Sequence, residues 1–347
     1  MTAGRAGATG APALSPMAAS AGRRVTGLEF SNLRGWAEDD HASALSVFCE
    51  SCGDMRGDDW ARVCAKARGV RPTEAKAFFE ATFRPVLIED DVPSLFTGYY
   101  EPELHGALVR SDRFHVPLYG LPPELPKSEP WLTRGQIEDG ALVGQGLEIA
   151  WLDDPVEAFF LQVQGSGRIR LPDGRIIRLG YAGSNRHPYS SIGRALIERG
   201  AVRPEEASAD VVKAWLADHP AEAGQVLRTN ASFVFFREIS EVPADQGPLG
   251  TMNRPVTPLR SVAVDPAAVP LGGPVWIEVQ GPEPFCRLMV AQDTGSAITG
   301  AQRADIFFGT GPDAGLKAGR VRAGGRIVVL LPAQHAELPR AKAEGPS

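Results

Sequence analysis

The stretch Arg287-Leu-Met-Val-Ala-Gln-Asp293-Thr-Gly-Ser-Ala-Ile-Thr-Gly300-Ala-Gln-Arg-Ala-Asp305-Ile-Phe-Phe-Gly309 carries two short apolar runs, each abutting an aspartate. Leu288 to Ala291 and Ile306 to Phe308 are rich in strand formers. Gly295, Ser296 and Gly300 between them permit a turn that folds the second strand back toward the first. That layout brings Asp293 and Asp305 to one edge of a sheet. A carboxyl group flanked by Ile306 and two phenylalanines is poorly solvated, which raises its pKa and holds a proton near neutrality. This is the state a general acid needs. Asp-Thr-Gly, and Asp ahead of a strand, also fit ordinary turns.

Outward from this stretch, Leu259 to Val264, Val275 to Val279 and Arg326 to Leu331 read as three more strands separated by Gly and Pro. Five short strands in the last hundred residues predict a closed β-barrel. The whole chain of 347 residues is 43% hydrophobic and 22% charged, the balance of a globular protein with a proper core. With 38 Gly and 29 Pro it favours a loop-rich, mainly β architecture. A net charge of −6 gives no basic footprint for nucleic acid. No nucleotide, phosphate or metal motif is present, so no cofactor is implied.

Residues 1–24 have neither apolar bulk nor periodicity and read as disordered; 334–347 read as a tail. No apolar run reaches the ~18 residues of a membrane helix, and the N-terminus has no secretory apolar core. Residues 40–84 read as a small helical lead-in. Asp39 or Asp40 is placed to cap the first helix, Asp58 or Asp59 the second and Thr73 the third, with Pro85 as a stop. Cys49 and Cys52 have CxxC spacing but no second ligand pair, which favours burial over a metal site. In an oxidising compartment Cys64 would pair with Cys49 or Cys52.

Further motifs lie between. In Phe96-Thr-Gly-Tyr99-Tyr100-Glu101-Pro102 adjacent tyrosines point to opposite faces, so one can meet a ligand. Ala158 to Leu171 alternates apolar and polar residues as a strand would, and Asp173-Gly174 marks a hairpin before Arg175-Ile-Ile-Arg-Leu. Gln164-Gly-Ser166-Gly lacks the lysine of a phosphate loop. Tyr181, Asn185 and Tyr189 are side-chain types that stack on sugars or bond N-acetyl groups. His187, in Arg-His-Pro, reads more as a turn than a catalytic base. Ser190 or Ser191 caps the helix that follows, and two more helices are read at 204–218 and 221–230.

Several of these segments, in order, resemble the membrane-bound lytic murein transglycosylase A family. Thr97-Gly-Tyr-Tyr-Glu-Pro, Gln164-Gly-Ser-Gly, Gly180 to Ser191, and Ser261-Val-Ala-Val-Asp265-Pro with the 287–309 stretch carry the likeness, which runs from about Gly35 to Pro332. Asp265, Asp293 and Asp305 match the three acids of its three-aspartate (3D) domain. The resemblance implies a double-psi β-barrel built from 25–102 plus 235–333, the 3D-like part being 255–333, around an inserted β domain at 103–234. It implies cleavage of the MurNAc-β-1,4-GlcNAc bond of peptidoglycan with a 1,6-anhydro product, Asp305 serving as acid and then base, and Asp293 and Asp265 in support. Tyr99, Gln164, Ser166, Asn185 and Tyr189 become candidate glycan contacts, and the periplasm or outer membrane the place of action. No leader and no lipidation cysteine precede Cys49, which implies either a start downstream of a leader or an unusual export route. The alternatives are a hydrolase using two carboxylates and a non-catalytic wall-binding module.

Overall fold

The computed structural model describes residues 22–243 and 245–333. Strand β1 (Arg24–Gly27) precedes three helices, α1 (His41–Ser51), α2 (Asp58–Ala67) and α3 (Ala75–Thr82). The disordered segment read at 1–24 lies mostly outside the described residues, but Arg24 already pairs with Glu89 of β2 (Phe83–Glu89). The tail read at 334–347 lies outside them too. Asp40 caps α1 by accepting from the Ser43 backbone N–H at 3.1 Å. The other two caps differ from expectation, for Gly57 and Glu74 stand at the starts of α2 and α3 without side-chain bonds. Pro85 does not stop α3 either. It sits inside β2 opposite Leu330, and the helix has already ended at Thr82. The three helices bury Leu45, Phe48, Trp60 and Phe79 against Phe83 and Trp276 of the sheet, and a Cys52–Cys64 disulfide ties α1 to α2. Cys49 and Cys286 are free.

After β3 (Leu95–Glu101) the chain leaves this sheet and builds a second one. That excursion comprises β4 (Glu103–Ala107), β5 (Val116–Tyr119), the single turn α4 (Arg134–Gln136), β6 (Glu148–Leu152), α5 (Pro155–Gln164), β7 (Gly167–Arg170) and β8 (Ile176–Ser184). Helices α6 (Ile192–Glu198), α7 (Ala209–Asp218) and α8 (Pro220–Arg228) and strand β9 (Val234–Glu238) complete it. The strand order is β5-β6-β4-β7-β8-β9. Because β9 pairs with β8, with Leu179 opposite Glu238, the insert extends beyond the 234/235 boundary read from sequence. The alternation at 158–164 was misleading as well, since this segment is helix. Asp154 caps it through the Val156 N–H, Pro155 opens it, Gly165 closes it with φ +77°, and Ala158, Phe159, Leu161 and Gln162 form the buried face. Capping at both ends outweighed a short period-two pattern. Ser191 caps α6.

The chain then returns with β10 (Ser261–Val264), β11 (Pro274–Val279), β12 (Phe285–Asp293), β13 (Arg303–Thr310), α9 (Pro312–Gly319), β14 (Arg322–Ala323) and β15 (Gly325–Pro332). The nine-stranded sheet runs β1-β2-β15-β11-β12-β10-β13-β3-β14. Its end strands are not paired with each other, so among the described residues it does not close into the barrel expected from strand density. The architecture is two mixed sheets with helices on their flanks, mainly β. The first sheet buries an aliphatic core of Val86, Val262, Ile277, Met289, Ile306 and Val329 among others.

Candidate active site

Strand register builds the site. Ala263 on β10 lies opposite Asp293 of β12 on one side and Asp305 of β13 on the other. Asp305 in turn lies opposite Thr97 of β3. With strands ~4.8 Å apart, the two aspartates stand roughly 10 Å apart at their Cα atoms, separated by the small side chain of Ala263. Thr97 and Tyr99, two residues apart on one strand, share a face. Thr97 Oγ1 donates to Asp305 Oδ1 at 2.6 Å and the Tyr99 hydroxyl donates to Asp293 Oδ2 at 2.9 Å. Between them Gly98 faces the other way onto α9, where an added Cβ would come within 2.7 Å of Ala318 Cα. The Thr-Gly-Tyr sequence thus serves both faces of β3.

The two carboxyl groups differ in how they are held. Asp293 Oδ1 accepts from the backbone N–H groups of Thr294 and Thr251, each at 2.9 Å, and from Thr251 Oγ1 at 3.0 Å. With Tyr99 on Oδ2, both of its oxygens are engaged by protein donors. Asp305 accepts from Thr97 alone on Oδ1, and Oδ2 has no protein hydrogen bond among the described residues. Below both lies an apolar cluster of Tyr99, Val256, Ala263, Ile298 and Phe307. Desolvation against it raises the pKa of Asp305 above the usual carboxylate value and the charge of Asp293 adds to the rise, while the Thr97 bond and the Arg303 guanidinium pull it down. Burial raises Asp293 as well, opposed by its four donors. Burial, then Asp293, push Tyr99 well up, so it stays a neutral donor.

Asp265 stands at the end of β10 and bonds no other acid. Its Oδ2 accepts from Gly300 N–H at 2.7 Å and its Oδ1 from Ala267 N–H at 2.9 Å. It pins the 294–302 connection between the other two aspartates, and Asp90 does the same through Ala301 N–H at 2.7 Å. Tyr99 is 9% exposed with its ring against Phe307, a support for Asp293 more than a sugar platform. Gln164 ends α5, where its Oε1 accepts from the Tyr100 backbone at 3.1 Å, and Ser166 follows, largely buried.

Asn185 departs from its expected role. It has no exposed surface, donates to Leu132 and Ala231 carbonyls at 2.8 and 2.7 Å, and accepts from Phe233 N–H at 2.8 Å. It is an internal tie of the insert, because its amide finds backbone partners before it can reach solvent. Tyr189 lines a separate cavity of about 560 Å³ at the helical end of the insert, with Ser191, Arg194, Glu198 and Thr229. His187 lies 2.8 Å from the Trp131 carbonyl, consistent with a turn. Sequence reasoning did not single out Thr97, Thr251 or Asp90. Thr97 was within reach, since strand alternation puts it beside Tyr99; nothing local marks the other two.

A sheet assembled from both ends of the chain, an inserted second sheet, and aspartates paired across one strand define a 3D-domain protein. The 3D domain model matches residues 260–331 and the MltA specific insert domain model matches residues 95–237. The chain belongs to the membrane-bound lytic murein transglycosylase A family. It is 37% identical over 244 residues to the membrane-bound lytic murein transglycosylase A of Vibrio cholerae, covering 67% of this chain and 64% of that one, slightly under two thirds of the relative's length. The crystal structure of the membrane-bound lytic murein transglycosylase from Agrobacterium tumefaciens superposes with a TM-score of 0.82 at 33% identity, covering 90% of this chain and 99% of that one. E. coli MltA with bound chitohexaose gives 0.70 at 30% identity, covering 89% and 92%.

Proposed function

We propose that the protein is a peptidoglycan lytic transglycosylase that cleaves the MurNAc-β-1,4-GlcNAc bond and leaves a 1,6-anhydro end. The observation that carries this is the asymmetry of the two carboxyl groups. Asp305 has an uncommitted oxygen and a raised pKa; Asp293 has neither oxygen to spare. Asp305 protonates the departing glycosidic oxygen, then as carboxylate takes the proton of the muramic C6 hydroxyl as that oxygen attacks C1. The nucleophile belongs to the same sugar, so the step gains a large effective molarity. Burial chiefly keeps Asp305 protonated, and Asp293, held by Thr251, Thr294 and Tyr99, adds a lesser push while Asp265 holds the loop that joins them.

A two-carboxylate hydrolase would need Asp293 to attack C1 or activate water, and its four donors oppose that. Gln164, which accepts from the Tyr100 backbone of β3, and Ser166 just after it are the glycan contacts this reading keeps; Tyr99 acts through Asp293. The parallel pairs β10–β12 and β13–β3 within an otherwise largely antiparallel sheet support reading it as an opened double-psi arrangement. Relatives are named membrane-bound, which supports action at the periplasmic face of a membrane. No helix among the described residues is long and apolar enough to cross one.

The test is mass spectrometry of products from purified sacculi. Wild-type protein yields 1,6-anhydro muropeptides, lighter by one water than hydrolytic ones. Asp305→Asn yields none, whereas the isosteric Asp293→Asn retains activity. Reducing-end products, or an active Asp305→Asn beside a dead Asp293→Asn, would reject the reading.

A further inference from the structure

Across the sheet the register continues past the acid. Arg322 of β14 lies opposite Thr97, which lies opposite Asp305, and Arg303 precedes Asp305 by two residues on the same strand face. Arg322 therefore stands two strands, roughly 10 Å, from Asp305 at the Cα level, within the reach of a long side chain. Several guanidinium groups around the two sheets are matched, Arg178 and Arg168 with Glu101, Arg260 with Asp39 and Arg326 with Glu278, while Arg84 and Arg287 lack an ion pair among the described residues but lie on strands away from Asp305 and Thr97. Arg303 and Arg322 are not matched either. Arg303 uses only Nη1, on the Leu95 and Ala304 carbonyls, and neither arginine has an ion pair within 4 Å among the described residues. Arg322 is exposed; Arg303 is disfavoured as a cation first by burial, which the nearby Asp305 opposes and the positive charge of Arg322 adds to. Two guanidiniums that lack an ion pair and repel one another gain a charge-assisted partner when an anion lies between them, most of all while Asp305 is protonated and offers Arg303 no charge.

We infer that Arg303 and Arg322 form a subsite for a carboxylate carried by the muramoyl side chain of the glycan. This rests on the glycan-cleaving reading above. The lactyl ether sits on C3 of the muramic ring, with only C2 between it and the anomeric carbon, so a sugar whose C1 is served by Asp305 presents that substituent close by. The same chemistry has two sources, the lactyl carboxylate of a denuded strand and a carboxylate of an attached peptide stem. The subsite sets which ring lies on the C1 side of the acid, because N-acetylglucosamine carries no such group.

The inference is tested by binding in the Asp305→Asn background, where no turnover intervenes. The probes are a denuded glycan oligosaccharide, its methyl ester, and a peptide-bearing strand, titrated at low salt. The denuded acid, the peptide-bearing strand, or both bind about tenfold more tightly than the ester, the margin shrinks with added salt, and Arg322→Gln removes it. Tighter binding of the denuded acid assigns the lactyl source, and of the peptide-bearing strand the stem. Equal affinity for all three probes, or a margin that survives both Arg322→Gln and Arg303→Gln, overturns the subsite. Failure of the functional reading shows separately, as an absence of 1,6-anhydro products from wild-type digests.

Discussion

The hydroxyl of Tyr99 donates to Oδ2 of Asp293 at 2.9 Å across 194 positions of sequence. It binds the strand that enters the insert to the strand end that returns from it. With Thr97 on Asp305, it makes β3 the support on which both acids rest.

Removing the two acids should have opposite effects on stability. Asp305→Asn keeps an acceptor for Thr97 and removes a carboxyl group whose pKa the fold raises. A raised carboxylate pKa means the folded state binds the proton more tightly, so its contribution is largest below the unfolded value near 3.9 and is lost as pH climbs through the folded value. Asp305→Asn should thus raise Tm at pH 7 by about 2–4 °C, the gain vanishing near pH ~3. Asp293→Ala leaves two backbone N–H groups and a buried phenol without acceptors, and should cost about 2–4 kcal/mol in urea denaturation.

On the proposed mechanism activity should decline as pH rises through the elevated Asp305 pKa, because only the protonated form could give a proton to the leaving oxygen. The Thr97 bond stabilises the charged form. Thr97→Val, nearly isosteric, should move the basic limb of the kcat/KM profile to higher pH. A limb that stays in place or moves down assigns it to another group.

Asn185→Ala should test whether that residue meets substrate. Its four internal bonds predict a loss of about 2–4 kcal/mol of stability, read by thermal or chemical denaturation, with KM for glycan unchanged below the transition. A raised KM in a protein of wild-type stability would return Asn185 to the substrate surface.

Glu101 has no exposed surface. It accepts from Arg168 at 2.8 Å and Thr310 at 2.7 Å, and Arg178 Nε lies 2.9 Å from its other oxygen. Those arginines belong to the insert and Thr310 to the first sheet, so one carboxylate joins the two. Glu101→Ala should leave two guanidiniums without their partner and cost about 3–5 kcal/mol. Chemical denaturation should also show the two sheets unfolding as separate transitions, where the wild type gives one.

The five strands of the last third were legible at 259–331 because apolar runs between Gly and Pro turns are a local signal, and so were the Asp40 and Ser191 caps and the Asp173-Gly174 hairpin. The three aspartates were legible as residues, and the resemblance implied Asp305 as the acid with Asp293 and Asp265 in support. The difference in how the fold holds the two carboxyl groups was not legible, because it depends on hydrogen-bond saturation. Thr97 lies 208 positions from Asp305, and Thr251 lies 42 from Asp293. Sequence likewise offered Asn185 as a polar side chain in a loop without saying that backbone carbonyls on two other segments would consume it. It read α5 as a strand because seven residues of pattern say less than the caps outside them, and its 234/235 boundary assigned most of β9 to the first sheet because local sequence does not say which strand will be a neighbour. Local propensity and turn chemistry set which segments are strands and helices. Which strand lies beside which, and hence that Ala263 separates two acids and that only Asp305 keeps an oxygen free, is decided by burial and pairing summed over the whole chain.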